Sequence, residues 1–447
     1  MIPAITDPGI LEGYLVDASN THGRADALYR PRSAEEVAEV VAACQASGMP
    51  LTVTARRTST TAAPIPDGGA LLSTELLATV HARDEVDGGV ILGEYQAFVE
   101  SQGWLFPPDP TSRHDCSIGG AVACNASGAR TFKYGPTRPW IEAVDVVLPD
   151  GRLLHVDRTT PSPWPIPRWA EPHVKTAAGL YPADNLLDLL IGSEGTLGIV
   201  TRVWTRLLPL PPHVLSLLSF FPTREAMLAF VTAARGMGPR CIEYFDRHAL
   251  DLVRGRLPEV PAADSAIFVE IEHDGDPPLD AWFDALVAHD ALVDATIATT
   301  DDAALAKLHA MRHGVPAAVN EIVVRNGVRK VGTDFAVPDA ALAEMLAVYD
   351  DTGMPSACFG HIGNSHLHLN FLPRNQEELA EARRRYQAMA ARAVALGGTV
   401  SAEHGIGRLK KGLLALMVPP QVMDGWRTLK RAADPHWILG RGVMFDP

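Results

Sequence analysis

PPDPTSRHDCSIGGAVACNASGARTFKYG, residues 107–135, is the stretch on which the reading of this chain turns. Pro107, Pro108 and Pro110 exclude a helix or a central strand at its start. Gly119, Gly120 and Gly128 then bracket a run of small residues with one amide side chain, Asn125. Backbone this bare lets a large flat ligand come close. A Gly/Pro-rich surface loop is the plainer alternative, and the rest of the chain has to decide between them.

Upstream, Ser33-Ala-Glu-Glu36 reads as a capping box. Val37, Val40, Val41 and Cys44 follow at helical spacing, and Gly48 ends the helix. Residues 50–54 read as a strand, followed by the loop 55–66. Loops at strand ends of α/β units are where ligands sit. A further strand is expected at 70–73 and a short helix within 93–104. Downstream, 141–148 and 153–156 flank Pro149-Asp-Gly151 and predict a hairpin. Residues 157–183 carry six prolines and read as an excursion. GSEGTLGIV follows at 192–200, either an anion-binding nest of backbone N–H groups or a plain turn. Pro209, Pro211 and Pro212 mark a domain boundary.

From 213 the pattern changes. Strands at 214–221, 267–271 and 292–299 alternate with helices at 225–234, 278–288, 303–311 and 339–349, which predicts an α+β domain with an antiparallel sheet. A long helix is expected at 377–395. The reading thus divides the chain into an N-terminal arm (1–30), an α/β part (31–212), an α+β part (213–395) and a closing segment (396–447).

At 447 residues the chain is too long for one core. Composition is globular, with 47% hydrophobic and 21% charged residues. A net charge of −14 argues against a nucleic-acid surface, which needs a basic face. The five cysteines form no CxxC, so neither an iron–sulfur cluster nor a disulfide framework is indicated. No leader and no apolar run of about 18 residues is seen, so the expected location is cytoplasmic, at most peripheral to a membrane.

The chemical signal lies in CFGHIGNSHLHLNF (358–371) and SAEHGIG (401–407). Imidazole and carboxylate are the usual ligands of zinc or manganese-like ions. On a strand His366 and His368 share one face with Asn370. Glu403 and His404 sit in a glycine-flanked loop. Spacing alone leaves scattered surface histidines as the alternative. Arg312, at the end of a predicted helix, and Lys330, on a following strand, read as solvated charges on residue type alone.

Together, PPDPTS…SIGG-x4-NASG-x5-YG, GSEGTLGIV, GHIG-x4-HLN and EHGIG followed by a lysine resemble the FAD-linked 2-hydroxy-acid dehydrogenases. That family comprises the flavin D-lactate dehydrogenases, D-2-hydroxyglutarate dehydrogenase and the glycolate oxidase flavin subunit. The resemblance covers residues 15–447. It implies a two-subdomain FAD-binding domain of the vanillyl-alcohol-oxidase type plus an α+β cap domain with an antiparallel sheet, the closing segment returning to the FAD domain. It implies that Asp109, Ser112, Gly119, Gly120, Asn125, Gly128, Glu194, Gly195, Gly198, Ile199 and Val200 line FAD. Arg57, Thr58 and Ser59 stand at the first FAD loop. His361, His368 and Glu403 match a divalent-metal set, Asn370 a substrate-facing amide, His404 the catalytic base, and Arg312 and Lys330 carboxylate-binding positions.

The implied reaction is oxidation of a D-2-hydroxy acid to the 2-oxo acid, with electrons passed on to a separate acceptor. An electron-transfer flavoprotein, a quinone-linked protein and an iron–sulfur subunit are the candidates, and a homodimer is an open arrangement. The chemistry agrees with those roles. A metal lowers the hydroxyl pKa, an imidazole takes the proton, and a guanidinium fixes the carboxylate. A flavin-poor, non-catalytic subunit of a multi-subunit oxidase and a metal hydrolase are the alternatives.

Three stretches depart from the family pattern, one of them the closing Asp434-Pro-His-Trp-Ile-Leu-Gly-Arg-Gly442, where Gly440 and Arg441 replace the family's Asn-Pro. The family's first FAD loop, Arg followed by three glycines and a Thr, is here Arg56-Arg-Thr-Ser-Thr60. Its metal loop, His-x-Gly-Asp-Gly-Asn-x-His, is here His361-Ile-Gly-Asn-Ser-His-Leu-His368, with His366 in place of the amide.

Overall fold

The computed structural model describes residues 2–254 and 260–447, which build a three-stranded, a four-stranded and an eight-stranded sheet, with a short ribbon of Trp104–Leu105 and Leu208–Pro209 beside them. In the first sheet Ala70–Ser73 lies parallel between Ala27–Tyr29 and Leu51–Thr54. The helix Ala34–Ser47 joins the two outer strands. Ser33 accepts the Glu36 N–H (3.3 Å), and Glu36 accepts the Arg32 N–H (2.6 Å), so the expected cap forms with its return bond one residue early. Gly48 ends the helix at φ 67°. The buried face Val37, Val40, Val41 and Cys44 packs with Ile438 and Leu439 from the far end of the chain. The Leu51 N–H donates to Ile438 O (2.8 Å), so the closing segment adds to this sheet. The expected N-terminal arm is partly built in, through Ala27–Tyr29.

The four-stranded sheet runs Glu85–Asp87, Ile199–Thr205, Ile141–Val147, Leu153–Asp157, all antiparallel. Its last pair is the hairpin expected around Pro149-Asp-Gly151.

The large antiparallel sheet runs Ile297–Thr299, His213–Phe221, Ser265–His273, Cys241–Asp246, Ser356–His361, His366–Phe371, Val331–Gly332, and Phe335–Ala336 also pairs with His366–Phe371. The mixed α+β class with antiparallel sheets is the expected one. Sequence reading passed over the strands Cys241–Asp246 and Ser356–His361 and the helix Arg247–Arg254. It also placed a strand over 292–299, where only Ile297–Thr299 pairs and Val293–Ala295 is a 3-10 turn.

One helix is much longer than expected. Asp302–Arg325 continues through Pro316, because Met311, Val315, Val319 and Val323 stay buried on one face at four-residue spacing. Arg312 is therefore mid-helix, not at a helix end. Proline has no N–H, and the carbonyl it leaves without its i−4 bond is that of Arg312. No helix among the described residues is long and apolar enough to cross a membrane.

Candidate active site

Four loops meet at the end of the Leu51–Thr54 strand. Glu194 N–H donates to Ala123 O (2.8 Å) and Gly192 N–H to Val122 O (3.0 Å), tying loop 192–195 to loop 121–127. Ile406 and Gly407 N–H donate to the two carboxylate oxygens of Glu194 (2.8 and 2.7 Å), tying in loop 404–408. Arg408 N–H donates to Thr61 O (2.9 Å), and a Cβ on Gly407 would lie 2.2 Å from that oxygen, so loop 55–61 closes the ring. Burial pushes Glu194 up to about 7, against the opposing pull of its two N–H bonds and Lys410.

This ring needs a polar occupant. Thr54 Oγ1, Arg56 Nε, Ser127 Oγ and Arg408 Nε are buried without a hydrogen-bond partner. Buried polar groups are nearly always paired, so four in neighbouring loops point to a ligand rich in acceptors. Gly195, at φ 72°, faces open space with no atom within 4 Å of an added Cβ. The residues present fit the expected FAD.

The expected FAD residues divide by what they touch. Glycines on the 107–135 stretch mostly admit protein. A Cβ on Gly119 would sit 2.7 Å from Gly88 O, and one on Gly128 only 2.1 Å from Asp109 O. Gly120 lies over Ser117 Oγ, and Ser117 caps the helix Ile118–Ala123. The bareness read as room for a ligand is thus largely consumed by backbone-to-backbone packing, and the stretch holds two short helices, Ile118–Ala123 and Thr131–Tyr134. Asn125, in the left-handed region at φ 46°, accepts the Arg138 N–H (2.9 Å). Buried Asp109 accepts the Arg130 N–H (2.9 Å), and the Ser112 carbonyl accepts from Asp115 and Cys116. Gly198 packs on Val146, and Ile199 and Val200 begin the Ile199–Thr205 strand. Arg57 takes φ 56° and stacks its guanidinium 4.6 Å over Tyr14, beside half-buried Thr58 and Ser59. The family's glycine position is thus a strained arginine whose side chain turns away toward Tyr14.

The second group of expected residues forms one cluster. His361 and His366 face each other across the hairpin register, and His368 lies one strand repeat on. His361 Nε2, His368 Nε2 and His366 Nδ1 stand 3.1, 3.6 and 3.7 Å from Glu403 Oε2. Burial lowers His366 and His368, keeping them neutral and fit to donate lone pairs. Burial would raise Glu403, but Lys175 and His361 outweigh it and hold the carboxylate well below its usual range. This donor set fits a borderline divalent ion.

His404 stacks on His368 (5.4 Å, 27°). Its Nδ1 lies 3.3 Å from Asp334 Oδ2, which also accepts the His404 N–H (3.0 Å), the Ser401 hydroxyl (2.7 Å) and Lys410 Nζ (2.7 Å). Arg312 Nε donates to Glu243 (3.0 Å), whose other oxygen meets His361 Nδ1 (2.6 Å). Arg113 is held below its ordinary value by burial and then by Arg130, with Arg312 also contributing. His313 is pushed down to about 4 by burial and then by Arg312. Burial pulls Arg312 itself down, but Glu243 and then Asp109 outweigh it and hold the guanidinium above its ordinary value, so it stays charged where it is buried. Asn370 is buried, donating to His368 O (3.0 Å), and exposed Lys330 precedes the strand residue pair Gly332–Asn370.

Sequence reading missed Glu243, Asp334 and Lys175. A glutamate in the otherwise apolar run CIEYF was the one available signal, but Asp334 and Lys175 stand in no readable pattern. Lys175 comes from the proline-rich excursion and places its Nζ 3.5 Å from Glu403 Oε2. Cavities of 390 and 570 Å³ share Val174, Lys175 and Asn364 in their walls, so Lys175 stands between open space and Glu403.

Residues 25–157 match the FAD binding domain family, and residues 210–444 match the C-terminal domain of FAD linked oxidases. The chain is 28% identical to the glycolate oxidase subunit GlcD of Bacillus subtilis, over 94% of this chain and 89% of that protein. It is 28% identical to a D-lactate dehydrogenase of Anaerostipes hadrus (97% and 93% covered). It is 30% identical to the mitochondrial D-2-hydroxyglutarate dehydrogenase of Bos taurus (97% and 80% covered). In fold it is similar to alkyldihydroxyacetonephosphate synthase, with a TM-score of 0.73 over 98% of this chain and 82% of that one at 17% identity. The FAD domain is accordingly of the vanillyl-alcohol-oxidase type. With loops that fit the flavin and a family match spanning more than half of its length, this chain belongs to the FAD-linked oxidases.

Proposed function

We propose that the protein oxidises a D-2-hydroxy acid to the 2-oxo acid, residues 213–395 forming the cap over the substrate. The observation that carries this reading is one chain of contacts that joins the Asp334-held His404 to the His361–His368–Glu403 set and, through Glu243, to the cationic Arg312. Relatives named for glycolate, D-lactate and D-2-hydroxyglutarate support the substrate class. When bound, FAD supplies the hydride acceptor and a divalent ion on His361, His368 and Glu403 a Lewis acid for the hydroxyl.

The chain's own residues do the rest. Asp334 takes the Nδ1–H of His404, which leaves the Nε2 lone pair to accept the hydroxyl proton. Glu243 fixes the Arg312 guanidinium from its Nε edge, and the guanidinium holds the substrate carboxylate. With the carboxylate fixed, the Cα hydrogen has one direction to point. Electrons then pass to a separate acceptor, for which an electron-transfer flavoprotein, a quinone-linked protein and an iron–sulfur subunit are the candidates. Anaerobic addition of 2-hydroxy acids tests the reading directly. A D-acid is expected to bleach the flavin absorbance and its L-enantiomer not to. A flavin that no 2-hydroxy acid bleaches would overturn the proposal.

The glycine-free loop favours a second reading, a flavin-poor subunit; flavin content as isolated separates the two, and Arg57→Gly tests the loop itself. Glycine at φ 56° removes the left-handed strain and lets the backbone approach the pyrophosphate. FAD affinity, read by flavin fluorescence titration, is expected to rise about tenfold, the worth of roughly one charge-assisted hydrogen bond. A weaker affinity would show that Arg57 itself serves the phosphates.

A further inference from the structure

We infer that His366 is a fourth protein ligand, so that the ion is held by three imidazoles and one carboxylate: His361 Nε2, His366 Nδ1, His368 Nε2 and Glu403 Oε2. The inference rests on the metal part of the reading above and not on its substrate.

All four donor atoms lie within 4.8 Å of one another. The three imidazole nitrogens stand 3.1, 3.7 and 3.6 Å from Glu403 Oε2. Ligands about 2.1 Å from a tetrahedral zinc are about 3.4 Å apart, so these separations are those of a coordination sphere. The outer nitrogens give the same answer. His361 Nδ1 meets Glu243 Oε1 (2.6 Å), His366 Nε2 meets Asp334 Oδ1 (3.0 Å) and His368 Nδ1 meets Thr333 O (3.1 Å). Each of these partners is a pure acceptor, so each outer nitrogen carries a proton, and in the neutral ring the inner one presents a lone pair. Carboxylates and carbonyls behind ligating imidazoles are the usual outer shell of a metal site.

His366 is the member whose geometry has no other explanation. It is fully buried, and its Nδ1 has no hydrogen-bond partner. Glu403 Oε2, 3.7 Å away, is likewise buried without a hydrogen bond. A lone pair facing a carboxylate oxygen in a dry site is repulsive unless a cation lies between them. Lys175, 3.5 Å from Glu403 Oε2, is the rival cation and sets the competing outcome. Three nitrogens and one oxygen favour zinc among common divalent ions, with Co(II) as its spectroscopic substitute.

The holoprotein is dialysed against chelator and then titrated with Co(II) and with Zn(II). The wild type is expected to bind one ion, and its Co(II) form to show the intense visible bands of a four-coordinate site. His366→Asn is expected to weaken binding at least 10–100-fold, the loss reported even for outer-shell changes, and to dim those bands. Equal affinity and an unchanged spectrum in His366→Asn would overturn the inference. So would a wild type that binds no ion, with Lys175 then closing the cluster. If His366→Asn does not fold, X-ray absorption at the zinc edge of the wild type counts the imidazoles: three support the assignment and two refute it. No hydroxy acid enters these measurements, so their failure leaves the flavin-bleaching result untouched.

Discussion

His404→Ala is expected to lower turnover by about 10²–10⁴-fold, the range for loss of a positioned general base, while flavin content stays that of the wild type. His404 meets the loop 55–61 through its backbone carbonyl, 3.5 Å from Thr61 Oγ1, which alanine keeps. The imidazole instead faces the cluster, stacked on His368 and held by Asp334. Because the lost interaction belongs to proton removal, kcat should fall with KM little changed. Asp334→Asn should follow it in direction, since an amide cannot both accept the Nδ1–H and balance Lys410, whose Nζ lies 2.7 Å away. The readout is the single-turnover rate of flavin reduction by an active hydroxy acid. A near-wild-type rate in His404→Ala would remove the histidine from the chemistry.

Asp434→Ala is expected to cost about 3–5 kcal/mol of stability, the range for removing one partner of a buried ion pair. Lys430 and Asp434 are both fully buried on the closing segment. Lys430 Nζ donates to Asp434 (2.6 Å), Thr196 O (2.6 Å) and Leu439 O (3.0 Å). Asp434 also accepts the N–H groups of Ile438 (3.0 Å) and Leu439 (2.9 Å). Burial pushes Lys430 down to about 8, against the pull of Asp434, so it stays charged at neutral pH. Truncating Asp434 leaves that ammonium without its counter-charge and two N–H groups without partners. The pair also links the loop of Glu194 to the strand Leu51–Thr54, so flavin should be released at lower urea than in the wild type. The double variant Lys430→Met/Asp434→Leu should cost less than Asp434→Ala alone, because no buried charge is left unpaired. Urea unfolding followed by tryptophan and flavin fluorescence decides. An Asp434→Ala midpoint equal to the wild type would mean that the Lys430–Asp434 pair does not hold the closing segment in place.

Local physics made much of this molecule legible. Ser33 and Glu36 cap a helix wherever they stand three apart before an apolar run, Gly48 ends it, and Pro149-Asp-Gly151 turns a hairpin. The histidines of 361–368 and the pair Glu403–His404 were legible as candidate metal donors because residue types at short spacing carry that information, while the base role expected of His404 came from the family resemblance. The order of the glycine motifs carried the family. Other features depended on distant partners. Pro316 is a helix breaker in isolation, yet the helix runs on because its apolar face is buried against the sheet. Gly119 and Gly128 look like an opening for a ligand and instead seat the backbones of Gly88 and Asp109. Asp334, Glu243 and Lys175 show nothing in their own neighbourhoods. Each acquires its meaning from charges brought to it across the large sheet, where pairing register sets His366 opposite His361. A buried charge is tolerable only beside its partner. Sequence by itself determined the locally capped and turned elements and the chemical types, while the tertiary fold alone decided which charges meet, because those meetings span separations that no local pattern encodes.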